Sequence, residues 1–144
     1  MALSVKKIVL WRKEVEDRPG TLAGALAPLA HAGANIQVVM AYRYPGQESN
    51  AAIELYPVSG KKSAAAAKEA GFSASEIPAL LVEGDNRPGL GYTTSQAIAD
   101  AGVSFDFLVA QVIGRRFSAV FGFKSDTDAS KCAAIIRRAV AKKR

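Results

Sequence analysis

Two short stretches of this 144-residue chain have residue types and spacing suited to binding chemistry: Asp17-Arg18-Pro19-Gly20 and Asn86-Arg87-Pro88-Gly89. Each lies between an apolar run and a stretch with helical spacing. A turn of that kind leaves free backbone N–H groups at a helix N-terminus, which favours a carboxylate. Gly20 and Gly89 carry no side chain, so a ligand can approach the backbone closely. Pro19 and Pro88 fix the turn angle and have no N–H in need of a partner. Covalent catalysis has no comparable support, because a nucleophile needs a nearby base and an orienting group. The single histidine, His31, and the single cysteine, Cys132, sit far apart in unrelated contexts. No metal-ligand spacing of His and Cys occurs, and no phosphate-loop pattern. The chain reads as a non-enzyme without a metal or cofactor.

The two turns are 69 positions apart, and the punctuation around them repeats at the same offset. Pro19 falls on Pro88, Leu29 on Ile98, Ala32 on Ala101, Gly33 on Gly102 and Ile36 on Phe105. A repeat of this kind marks duplicated modules, here 1–77 and 78–144. In the first, "VKKIVLWRKEV" reads as one strand, with Val9, Trp11 and Val15 sharing a face. A helix is expected from Thr21 to Ala32, with Leu22, Leu26 and Leu29 on one stripe, Pro28 inside it and Gly33 as its left-handed cap. "NIQVVMAYRY" and "NAAIELYPV" are strands around a "PGQES" turn, "KKSAAAAKEA" is a helix ended by Gly71, and "FSASE" can close the sheet. The second module repeats the order: "PALLVEG", a helix from Leu90 to Ala101, "VSFDFLVAQVI", "FSAVFGF", and a last helix capped by Asp126 with Cys132, Ile135, Ile136 and Val140 on its apolar face. No sequence remains after it for a closing strand. The expected fold class is α+β: two tandem ferredoxin-like βαββαβ modules, antiparallel sheets with helices on one face, the last strand of the second apparently missing. The open edge calls for a covering strand from the other module or a second chain.

Asp-Arg-Pro-Gly after the first strand, a helix ending in Gly, and Asn-Ile opening the second strand ("DRPGTL", "AGANI") resemble the ACT domain family. The second copy ("NRPGLG", "AGVSF") is similar at fewer positions, and the two together cover nearly the whole chain. The resemblance implies a regulatory module that binds a small molecule, most often an amino acid, where two such domains meet side by side. It places the ligand-binding residues at Asp17, Arg18, Pro19, Gly20, Thr21, Leu22, Asn35 and Ile36, and at Asn86, Arg87, Pro88, Gly89, Leu90 and Ser104. The family's two ligand-binding asparagines are divided between the copies, Asn86 in one and Asn35 in the other, which suggests one composite site or two unequal ones. N–H groups near Gly20 or Gly89 would meet the ligand carboxylate, and the amides or Asp17 the ammonium. Gly91 and Ser95 stand where the first helix has Leu22 and Leu26, and Tyr92, Thr93, Thr94 and Ser95 form a polar cluster just after the second turn. The resemblance also implies a homodimer and a regulated partner enzyme or regulator.

Composition is that of a globular protein, 49% apolar and 22% charged. No apolar run is long enough to span a bilayer. Lysines inside the first apolar stretch argue against a secretory signal, and one cysteine suits a reducing cytoplasm. The net charge of +6 raises the question of nucleic acid, but it is concentrated in Arg137, Arg138, Lys142, Lys143 and Arg144. Removing those five leaves 14 basic against 13 acidic residues, and cations at a helix C-terminus are favoured in any case. RNA-recognition modules share the ferredoxin-like layout and stack bases on sheet aromatics. Phe117, Phe121 and Phe123 alternate as such a platform would, but they read more simply as the core face of a strand. A ligand-free dimerisation module is the third reading. His31 and Asp106 are expected at the surface, and Cys132 buried and inert.

Overall fold

A computed structural model describes residues 3–141; Lys142, Lys143 and Arg144 of the basic tail lie outside the described residues. The elements in chain order are β1 (Ser4–Ile8), β2 (Trp11–Glu16), α1 (Thr21–His31), β3 (Val38–Arg43), β4 (Asn50–Tyr56), α2 (Lys61–Glu69), β5 (Ser73–Ala74), β6 (Ala79–Asp85), α3 (Leu90–Asp100), β7 (Phe107–Ile113), β8 (Arg116–Gly122) and α4 (Asp126–Ala141). They form two compact units, Val9–Glu76 and Met1–Ile8 with Ile77–Arg144. Each holds one four-stranded antiparallel sheet, ordered β3-β4-β2-β5 in the first module and β7-β8-β6-β1 in the second.

The repeat survives down to single hydrogen bonds. Asp17 N–H donates to Ser49 O and Asn86 N–H to Arg115 O, both at 2.8 Å. Gly24 donates to Gly20 O and, 69 residues on, Thr93 to Gly89 O. Ala34 donates to Leu29 O and Val103 to Ile98 O, closing the helix ends around Gly33 and Gly102. Those glycines have φ of 79° and 73°, a left-handed backbone in which a β-carbon is disfavoured. The expected helix boundaries hold to within one residue, and Pro28 stays inside α1.

The N-terminus departs from expectation. "VKKIVLWRKEV" is two strands, broken at Val9–Leu10. Trp11–Glu16 belongs to the first module, but Ser4–Ile8 pairs with β6 of the second, Val5 opposite Val82 and Ile8 opposite Ala79. The edge that seemed to lack a strand is closed by the chain's own first strand, in the place β5 takes beside β2. The driving force is visible in the core: Leu3 and Val5 pack with Leu80, Val82, Phe117, Phe121, Ile136 and Val140. Burial of apolar area of that kind is the dominant stabilising contribution. The smaller first core gathers Ala25, Leu29, Ile53, Leu55, Ala67 and Phe72.

Two local expectations also change. Ser125, not Asp126, caps α4, its Oγ accepting from Asp128 N–H at 3.1 Å. Asp126 instead sits in the first turn and pairs with Lys7 at 3.0 Å. Thr94 leaves the polar cluster for the core, where its hydroxyl donates to Leu90 O at 2.8 Å and so is not orphaned. Cys132 is buried, and burial pushes its thiol pKa up, with Asp128 adding to the effect. His31 and Asp106 are exposed.

Candidate ligand-binding site

In the first module the chain reverses within four residues. Asp17 is tied to the β3–β4 hairpin by its bond to Ser49, and Thr21 N–H donates back to Arg18 O at 3.1 Å. Gly20 is the N-cap of α1, at φ 87° and ψ −8°, and no side chain caps the helix. The first-turn N–H groups therefore lack side-chain acceptors at the positive end of the helix dipole. Gly20, Thr21, Leu22 and Ala23 form one wall of a cavity of about 520 Å³, a size common for small-molecule sites.

Strand register explains why the space exists. Ile53 and Leu55 face the helices. Ala51, two residues before Ile53, shares that face, and so do its cross-strand partners Val15 and Arg43 and the Ile53 partner Ala41. Val15, Ala41, Ala51 and Ile53 make an apolar floor, and the two alanines leave it open. The rim is charged. Arg43 Nε lies 2.9 Å from Asp17 Oδ2, and Arg18 Nε lies 3.7 Å from Glu16 Oε1. An apolar floor, helix N–H groups and one guanidinium–carboxylate pair suit a small zwitterion. The stripe expected at Leu22, Leu26 and Leu29 is correspondingly uneven: Leu29 is buried, while Leu22 is exposed and walls the cavity.

The same place in the second module is filled. The hairpin there is three residues shorter, so beyond it the repeat offset drops to 66. By register, Phe117 stands where Ala51 stands, opposite Gly84 rather than Val15 and Val112 rather than Arg43. Phe117 is buried in the core, and Asn86 replaces Asp17. The rim pair and the open floor are thus confined to the first module.

Of the site residues named from sequence, Asp17, Arg18, Gly20, Thr21 and Leu22 come together around this cavity. Pro19 borders a shallower depression beside it. Asn35 is exposed and Ile36 packs on the core, both beyond the far end of α1. An eleven-residue helix separates them from Gly20, about 16 Å at 1.5 Å per residue. Ser104 lies likewise beyond the far end of α3, and Asn86 and Gly89 are exposed. Leu90 is a core residue. Arg87 and Pro88 border a different groove, between α3 and α4. Arg43 and the alanine floor join the cavity only through strand register and carry no signal in local spacing. Extending the repeat across the shortened hairpin would have set Ala51 against Phe117.

A second group, which residue type and spacing do not single out, lies on the opposite face of the same sheet. Glu54 is fully buried, and Tyr42 Oη donates to its Oε2 at 2.6 Å. Arg12 Nε lies 3.9 Å from that oxygen, and Arg12 also donates to Glu14 at 2.7 Å and to Tyr44 Oη. Burial works against the Arg12 charge, but its bonds to Glu14 and the two tyrosines outweigh this and hold its pKa above the ordinary value. Hydrogen bonding and the charge of Arg12 hold the Glu14 carboxyl below the usual range. Burial and then Glu54 push the Tyr42 phenol up to about 12. Among the described residues no cluster of His, Cys, Asp and Glu is suited to a metal ion, and no helix is long and apolar enough to cross a membrane.

No family model matches the chain, and no curated protein matches it. Solved structures do. A Bacteroides thetaiotaomicron protein aligns with a TM-score of 0.72 at 15% identity, covering 94% of this chain and 89% of that one. The ligand-free regulatory subunit of aspartate kinase from Thermus thermophilus aligns at 0.61 and 16% identity, covering 96% and 97%. The Thermus flavus regulatory subunit of aspartate kinase aligns at 0.59 and 17%, covering 96% and 97%. The chain shares the fold of these regulatory subunits, two tandem ferredoxin-like modules of the ACT type.

Proposed function

We propose that this protein is an amino-acid-binding regulatory protein without catalytic activity, that its site is the first-module cavity, and that it acts by contact with a partner enzyme or regulator. The observation that carries this reading is the cavity at the uncapped N-terminus of α1, floored by Ala41 and Ala51 and rimmed by Asp17 and Arg43. The ligand carboxylate meets the first-turn N–H groups and Arg43. The ammonium meets Asp17, and the side chain lies on the apolar floor. The shared fold with regulatory subunits of aspartate kinase supports a regulatory role. Output through self-association is part of the proposal. β7 is an edge strand of seven residues, FLVAQVI, without a charge. Its Val109 and Val112 are about half exposed and Ile113 more so, and a strand of that kind is a template for pairing. Its occupant is the same strand of a second copy.

The RNA-binding reading loses its platform, since Phe117, Phe121 and Phe123 are buried beneath the helices and bases stack only on free aromatic faces. The test is a melting screen against the twenty standard amino acids. A ligand bound only by the folded state raises its melting temperature. One or a few amino acids are expected to do so in the wild type and not in Arg43→Gln. A flat response to all twenty would sink the amino-acid reading.

A further inference from the structure

The second module keeps the Arg-Pro-Gly turn while Phe117 fills the space behind it, and a different cavity opens beside that turn. It lies between α3 and α4 and measures about 520 Å³. One end carries two guanidinium groups. Arg87 is held by donating from Nη2 to Val140 O at 2.7 Å. Arg138 lies on α4 two residues before Val140 and makes no ion pair among the described residues. Ala97, Ile135 and Ala139 give the groove an apolar floor. Tyr92 stands on its rim with 72% of its surface exposed, a large aromatic that the core does not use. At the far end Gln96 Nε2 donates to Asp100 Oδ1 at 2.8 Å. Asp100 is seven residues along α3 from Thr93, about 10 Å away at the helical rise, so it does not neutralise the cationic end.

Dipole complementarity at the end of α4 accounts for one cation, and Arg87 already answers the last carbonyls. A second cation, an unpacked aromatic and an apolar floor converge on one concave site, which is the usual make-up of a small-ligand pocket. Arginine also binds carboxylate and phosphate in a fork and stacks on flat groups.

We propose that the α3–α4 groove binds an organic anion with a flat apolar body, its carboxylate or phosphate held between Arg87 and Arg138 and its body lying along Ala97 and Ile135 against the Tyr92 ring. This site is independent of the amino-acid cavity and stands if that reading fails.

Isothermal titration of the full chain with 3-phenylpropionate and with phenyl phosphate tests it, and the pair tells carboxylate from phosphate. At least one is expected to bind saturably. Arg138→Gln and Tyr92→Ala, both at exposed positions, should each weaken binding on the order of tenfold. Arg43→Gln, in the other module, should leave it unchanged. No saturable binding of either anion below about 10 mM, or binding indifferent to Arg138→Gln, overturns the proposal. So does 3-phenylpropanamide or inorganic phosphate binding as tightly as the matching anion, because either would remove the need for one half of the ligand.

Discussion

Tyr42 shows how much a single side chain can carry. Its hydroxyl is the one hydrogen-bond donor to the fully buried Glu54 carboxylate among the described residues. Its phenol is raised to about 12 by burial and by that carboxylate, from about 10 in an unfolded chain. A group whose folded pKa is raised contributes stability fully below its unfolded pKa and loses it as pH rises through the folded one. Tyr42→Phe should therefore cost about 1–3 kcal/mol near neutral pH, by leaving Glu54 poorly paired. The gap to wild type should narrow between about pH 10 and pH 12. Urea unfolding of both proteins at several pH values checks this, and a gap that stays constant would contradict it. Arg12, Tyr42 and Glu54 were individually readable as strand residues. Their association was not, because it depends on which strands pair and on the register of Arg12 with Glu54.

At the scale of elements, β1 is the strand whose place the sequence concealed. "VKKIVLWRKEV" has continuous strand character, and alternation of side chains says which face a residue takes but not which sheet a strand joins. The turns, helices and caps were legible because Pro19, Gly20, Gly33 and their counterparts fix local backbone geometry by themselves. The pairing of Val5 with Val82 follows from the larger core that it completes. Val5→Asp should destabilise the second module by about 3 kcal/mol or more, since it buries an unpaired carboxylate. Hydrogen exchange should then speed up in β6 and β8. Faster exchange confined to β2 and β4 would contradict the assignment of β1. The cavity was half legible for a related reason. The turn residues Asp17, Gly20 and Thr21 announce themselves, whereas Arg43, Ala41 and Ala51 reach the site only through strand register. The divided asparagines suggested one composite site or two unequal ones; the structure adds a difference that they do not show, Phe117 in the place of Ala51.

For the whole molecule, duplication has produced two modules with one scaffold and different surfaces. The first offers an open alanine floor and a charged rim, and the second an uncharged edge strand. If β7 pairs with its copy, a charge in the middle of that strand should block it, because two like charges meet across the symmetry axis. Val109→Lys should shift the protein from dimer to monomer in sedimentation velocity without lowering its melting temperature below that of the wild-type monomer. A wild type that is monomeric at all concentrations would exclude the pairing. The binding account is tested most directly by following backbone amide resonances while the amino acid that gives the largest melting shift is added. Saturable shifts are expected at Gly20, Thr21, Leu22 and Arg43, with Gly89 and Val112 unmoved. Shifts centred on the second module, or on Asn35 and Ile36 with the first turn silent, would contradict it.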